Sequence, residues 1–223
     1  VFVNGEFVVS HEGGYSAFRV DITEKCTEEF NTIAIWCSNE KCDAIYPQSA
    51  DFTFYGGLYR GAHLICVPET HFELLHYGDL GIHAATEPAS WDKEDFMLHI
   101  RTKICGVEKD NQVIYQIFDE DGKEVASAAR PADSPDTSIP LYKPHRWDIK
   151  NSYQYMLKAL IMRNNECLDE VELKFGVRTF CCDPGRGFLI NGNCVPLRGV
   201  SRHQDKLYQG NALTKEDHIR DAE

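Results

Sequence analysis

Basic residues are scarce in this chain: 23 Lys and Arg stand against 35 Asp and Glu, for a formal charge of -12 and a pI near 5.2. Nucleic acids and anionic membranes are bound by clustered cations, so neither partner is expected. Long apolar runs are missing too. No window approaches about eighteen consecutive apolar residues, which excludes the usual membrane-spanning helix. The start, Val1-Phe2-Val3-Asn4-Gly5, has no initiating Met and no basic region ahead of an apolar core, and reads as the interior of a domain. No CxxC pair occurs among the nine cysteines, at 26, 37, 42, 66, 105, 167, 181, 182 and 194. Zinc sites usually show closely spaced ligand pairs, and disulfide scaffolds are short and even-numbered. Free buried thiols in a reducing, cytoplasmic compartment are therefore expected. In a strand, Cys181 and Cys182 would face opposite ways, which makes joint chelation of one ion awkward. Internal repeats and low-complexity segments are absent.

What is present is β-type sequence with 43% hydrophobic residues, enough for packed cores in 223 residues. Up to about Val67 the apolar runs are short: Phe7–Val9, Ala17–Val20, Thr32–Cys37 and Leu64–Val67. From about Pro68 to Arg178 strands are expected over Phe96–Ile104, Val113–Phe118, Glu124–Ala129 and Tyr153–Ile161. Asp119–Lys123 forms a turn and Pro131–Pro144 a surface connection. That spacing suits a β-sandwich.

The stretch Gly187 to Asp205 carries most of the information. Asn191-Gly192 between two apolar runs suits a type I′ hairpin turn, since both residues accept positive φ. Leu197–Val200 then reads as a short buried strand that delivers Arg202, His203 and Asp205 within four positions. An exposed polar loop is the plainer reading; a site at a strand's C-terminal end is the other. Thr214 with Asp217 resembles a capping box at a helix start.

Phe188-Leu189-Ile190-Asn191-Gly192 followed by Leu197-Arg198-Gly199-Val200-Ser201-Arg202-His203-Gln204-Asp205 resembles the entry into the catalytic barrel of family 2 glycoside hydrolases, the β-galactosidase and β-glucuronidase family. Two further stretches are similar to that family's sugar-binding domain, in the family's order. They are Val3-Asn4-Gly5 with Gly13-Gly14-Tyr15 and Phe18, and Asp51-Phe52-Thr53-Phe54-Tyr55-Gly56-Gly57-Leu58-Tyr59-Arg60. The resemblance implies a mainly β chain: part of a jelly-roll sandwich over 1–67, an immunoglobulin-like β-sandwich over 68–178 ending in a strand at Lys174–Arg178, and the start of a (β/α)8 barrel over 179–223. The chain is then expected to be a fragment of a β-galactosidase-like retaining enzyme, homo-oligomeric as the parent, acting on terminal β-galactosides.

The resemblance also distributes roles. Asp51 would reach sugar hydroxyls, in some members with a bound sodium ion, so that Na+ or Mg2+ is the parent's expected cofactor and Asp51 a candidate metal ligand. No cofactor is expected in the chain alone. Asn4 and His203 would contact the sugar, Asp205 is a further candidate that departs from members with other residues there, and Arg60 and Arg202 are supporting cations. Each also has a plain reading: a turn-capping Asp51, an Asn4-Gly5 turn, a solvated His203, an Arg202 paired with a barrel carboxylate. Phe52, Phe54, Tyr55 and Tyr59 suit packing better than stacking on a sugar. Retaining glycosidases need two carboxyl groups about 5–5.5 Å apart, and neither is recognisable here; Asn165-Glu166 copies the family's acid/base dipeptide in the wrong domain. The competing reading is a noncatalytic carbohydrate-binding or adhesion protein, which has no use for a barrel entry.

Overall fold

A computed structural model describes residues 1–43, 45–47, 49–89 and 94–223. The chain divides into two compact units, Val1–Ile65 with Gly199–Glu223, and Cys66–Arg198. Its fold is mainly β with antiparallel sheets. No helix among the described residues is long and apolar enough to cross a membrane.

In the first unit, strands β1 (Phe2–Val3), β2 (Glu6–Phe7) and β3 (Ile33–Ala34) form a sheet in the order β2-β1-β3. Asn4 and Gly5, with φ of 51° and 84°, make the tight turn between β1 and β2. Val3 is fully buried, whereas Phe18, Leu64 and Ile65 are exposed. The strands expected over Ala17–Val20 and Leu64–Val67 do not form: without a partner strand their backbone groups gain no ladder, and solvent takes the place of a buried face.

In the second unit, β4 (His71–Phe72) pairs with β7 (Ile104–Cys105), while β5 (Ile82–Pro88) and β6 (Phe96–Thr102) belong to a three-stranded sheet completed by β10 (Thr137–Leu141). Strands β8 (Gln112–Phe118), β9 (Glu124–Pro131), β11 (Tyr155–Arg163) and β12 (Glu166–Phe175) form a four-stranded sheet, ordered β12-β11-β8-β9. Alternation explains the packing. Phe96, Leu98 and Ile100 of β6 share one core with Val113, Tyr115 and Ile117 of β8 and Leu157, Ala159 and Ile161 of β11, all at most 1% exposed. Each contributes roughly 1.5–3 kcal/mol of transfer free energy when large and fully buried.

Two expectations change here. Pro131–Pro144 is more than a surface connection, because β10 lies within it. Thr137, Ile139 and Leu141 point inward, and Pro140 is tolerated because β10 sits at the sheet edge, where a missing N–H breaks no ladder. The strand expected at Lys174–Arg178 is instead the end of β12, stopping at Phe175. The chain then passes Trp147, whose N–H donates to the Val177 carbonyl at 3.0 Å while the Arg178 guanidinium lies 4.7 Å from its ring.

Strands β13 (Phe180–Asp183), β14 (Gly187–Ile190) and β15 (Asn193–Cys194) form a last small sheet, and Asn191 and Gly192 make the expected hairpin turn at φ 49° and 80°. Leu197–Val200 is not a strand. Leu197 and Val200 are 76% and 95% exposed, and no described strand pairs with them, as a parallel barrel strand requires. Helix α1 (Lys215–Ala222) starts at the expected capping box. The thiols are free, but the expectation that they are buried fails: eight of the nine cysteines are exposed and Cys105 is half-buried, because the runs that carry most of them bury no face.

Candidate functional site

The candidate site lies in the first unit, where two stretches 144 positions apart meet: Arg60 Nη2 donates to Gln204 Oε1 at 2.9 Å. Beside that bond, His203 Nε2 lies 3.8 Å from Asp51 Oδ2, and the Phe52 ring stands edge-on to the imidazole with centroids 6.3 Å apart. A separation of 3.8 Å is an ion-pair approach and too long for a hydrogen bond. The carboxylate and the imidazole are thus adjacent and both retain hydrogen-bonding capacity. Asp51 is 89% exposed at its side chain and His203 52%, so both face solvent.

The backbone that holds them is specified locally. Gly210 has φ of 57°, and a Cβ there would lie 2.9 Å from Tyr55 Cε1, so the 206–210 turn closes against the Tyr55 ring only with glycine. Asp205 lines an open groove on that side with Tyr55, Lys206, Tyr208 and Gly210. The turn is tied to α1. Lys206 Nζ donates to Asp217 Oδ1 at 2.6 Å, and Gln209 Nε2 and the Thr214 N–H donate to Asp217 Oδ2 at 2.9 and 3.0 Å. The Lys206 hydrogen bond, then the donors at Thr214 and Gln209, hold the Asp217 carboxyl well below the usual carboxylate range.

The remaining candidates have partners of their own. Arg202 donates to Asp221 on α1 and lies 3.3 Å from His218 Nδ1, which makes it a helix-anchoring cation. The Asn4 amide is spent on the chain that crosses it. Nδ2 donates to the Lys25 carbonyl and to Asn31 Oδ1, both at 2.9 Å, and Oδ1 accepts the Thr32 N–H at 2.9 Å. In the second unit, Asn165, with φ of 68°, lies in the β11–β12 hairpin turn and Glu166 opens β12. Gln204 and the Tyr55–Gly210 contact were not singled out from the sequence; a long-range glutamine-arginine bond leaves no local pattern to read.

A sodium ion tests poorly on these residues. Hard cations take several oxygen ligands, and the group facing the Asp51 carboxylate is an imidazole, which suits borderline transition metals better. The chemistry that the pair does suit is recognition of hydroxyls, by an acceptor-only carboxylate beside a ring that can donate or accept.

The mainly β chain thus brings its aspartate-aromatic stretch against its Arg-His-Gln loop. Residues 86–178 match the family model described as Glycosyl hydrolases family 2. A β-glucuronidase of Bacteroides fragilis is 31% identical over 99% of this chain, and a β-galactosidase of Thermoanaerobacter pseudethanolicus is 29% identical over all of it. The crystal structure of an FMN-binding β-glucuronidase from Facaelibacterium prausnitzii L2-6 superposes with a TM-score of 0.90 and 45% identity over 99% of this chain. The chain belongs to glycosyl hydrolase family 2. It spans about a third of the length of those proteins: 33%, 30% and 34%.

Proposed function

We propose that this chain forms one edge of the sugar site of a retaining glycoside hydrolase that cleaves terminal β-glycosides. The observation that carries the reading is the approach of Asp51 to His203, two residues from separate motifs that meet next to the Arg60–Gln204 bond. Asp51 accepts hydrogen bonds from sugar hydroxyls and His203 fixes their orientation; a sugar of the wrong epimer would leave one of them unpartnered, at about 1–3 kcal/mol. Asp205 borders the same edge from the groove, and Arg60 and Arg202 keep the loop in place. The general acid and the nucleophile belong to other parts of the complete enzyme, which we take to be a homo-oligomer.

β-Galactosides are the substrate suggested by the sequence motifs. β-Glucuronides are a second reading, favoured by the names of the 31% and 45% identical relatives. The test is turnover of nitrophenyl β-galactoside and nitrophenyl β-glucuronide by the complete protein and by the 223-residue chain alone. The complete protein should cleave one of them with retention of configuration, and the chain alone should cleave neither, since positioning without an acid and a nucleophile leaves the barrier nearly intact. A complete protein that cleaves no β-glycoside would overturn the proposal; activity that co-purifies with the short chain would place the carboxylate pair inside it.

A further inference from the structure

In the second unit, the turn leading into β5 gathers three side chains with metal-ligating atoms. We propose that His76, Asp79 and His83 form a binding site for one borderline divalent transition-metal ion such as Zn2+. His76 Nδ1 and His83 Nε2 lie 2.7 and 2.8 Å from the same atom, Asp79 Oδ2, and the three donor atoms all fall within 4.8 Å of one another. No other group of three His, Cys, Asp or Glu among the described residues meets that spacing.

Two imidazole nitrogens and one carboxylate oxygen are the donors that Zn2+ takes in open sites, with bonds of about 2.0–2.2 Å and water in the fourth position. Tetrahedral bonds of that length place ligand atoms about 3.3–3.5 Å apart, so each nitrogen need only withdraw by about 0.6 Å from Asp79, within reach of small side-chain rotations. Both nitrogens now approach one carboxylate oxygen as hydrogen-bond donors would. The ion would take the place of those two hydrogens, each neutral imidazole then carrying its proton on the other ring nitrogen.

The surroundings are ordered for the task. Asp79 Oδ1 accepts the Gly81 N–H at 2.7 Å and the Asp79 N–H donates to the His76 carbonyl at 3.1 Å, which turns Oδ2 toward the imidazoles. Gly81, with φ of 69°, is held where a Cβ would lie 2.7 Å from the Glu73 backbone, so the turn cannot relax away from the sheet. His83 stands on β5, a regular strand. Fixing ligands through their second hydrogen bond is how proteins raise metal affinity. The side chains are 32%, 22% and 47% exposed, open enough for an ion to enter. Arg101, the cross-strand partner of His83, lines a hollow with Arg130, Asp136 and Ser138, toward β10.

The test is calorimetric titration of the 223-residue chain with Zn2+, its thiols blocked with N-ethylmaleimide because nine free cysteines would compete. One equivalent should bind, and His76→Gln and His83→Gln should each weaken it at least about tenfold. The same blocked protein loaded with Co2+ should show visible d–d bands, which His76→Gln should diminish. Should either variant misfold, wild-type imidazole NMR resonances decide: those of His76 and His83 should shift or broaden at one equivalent of Zn2+. Absence of one-equivalent binding, equal affinity in both folded variants, or ring resonances that stay in place would each overturn the site. Glycosidase activity plays no part in these readouts, so the outcome is independent of the function proposed above.

Discussion

Tyr115 buries its hydroxyl in the second unit's core, and deleting that one oxygen should have a measurable cost. The side chain is fully buried; Tyr115 Oη donates to the Pro135 carbonyl at 2.8 Å and lies 2.7 Å from Thr102 Oγ1, itself 7% exposed. Burial pushes the phenol up to about 12, so it stays protonated and can donate throughout the physiological range. In Tyr115→Phe two hydrogen bonds are lost, each worth about 0.5–1.5 kcal/mol net, and the Thr102 hydroxyl is left buried without its partner. Pro135 is half-exposed, so its carbonyl can recruit water, which limits the total to about 2 kcal/mol. Hydrogen exchange read on the β8 and β11 amides reports that unit's opening, and 2 kcal/mol corresponds to about thirtyfold faster exchange. Thr102→Val should cost less when added to Tyr115→Phe than when made alone, because it removes the unpartnered hydroxyl. An acceleration below about threefold, or full additivity of the two changes, would refute the view that this pair is a desolvated network.

Cys105 should be the slowest of the nine thiols to alkylate at pH 8. Burial, then the Glu73 carboxylate that accepts its S–H at 3.0 Å, push it up to about 11, and the thiolate is the reactive form. Peptide-resolved mass spectrometry after iodoacetamide would show it, and Cys105 reacting as fast as exposed Cys37 would contradict it. Protection of α1 should be flat from neutral pH down to about 5 and decline below about 4. The Asp217 carboxyl is held below its unfolded value, so its stabilisation is complete above the unfolded pKa and is lost as pH falls toward the folded one. Exchange over Thr214–Ala222 checks this, and Asp217→Asn should abolish the pH dependence; a wild-type profile in that variant would point to other groups.

The second unit was the more legible part of the chain because its strands bury one face each. Val113, Tyr115 and Ile117 alternate with half-exposed residues, and β6 and β11 do the same. Strand β10 escaped because Pro135 and Pro140 punctuate it, and β12 because its edge position leaves an acid-rich face in water. Elsewhere, apolar runs that bury no face in this chain mimic strands, and Leu197–Val200 is the clearest case. The site divides in the same way. Asp51 and His203 were found through motifs, not through spacing, and their meeting depends on a chain reversal that no local pattern encodes. His76, Asp79 and His83 were not singled out from the sequence, although the spacing H-x2-D-x3-H around Gly78 and Gly81 was a signal that a turn gathers them.

The central claim is that Asp51 belongs to a sugar-binding edge, and steady-state kinetics of Asp51→Ala in the complete enzyme tests it most directly. Loss of hydrogen bonds to a charged acceptor should cost about 1.5–3 kcal/mol in the transition state, a fall of roughly ten- to a hundredfold in kcat/KM with thermal stability unchanged. Wild-type kinetics in a normally folded Asp51→Ala enzyme would remove Asp51 from the site and the proposal with it.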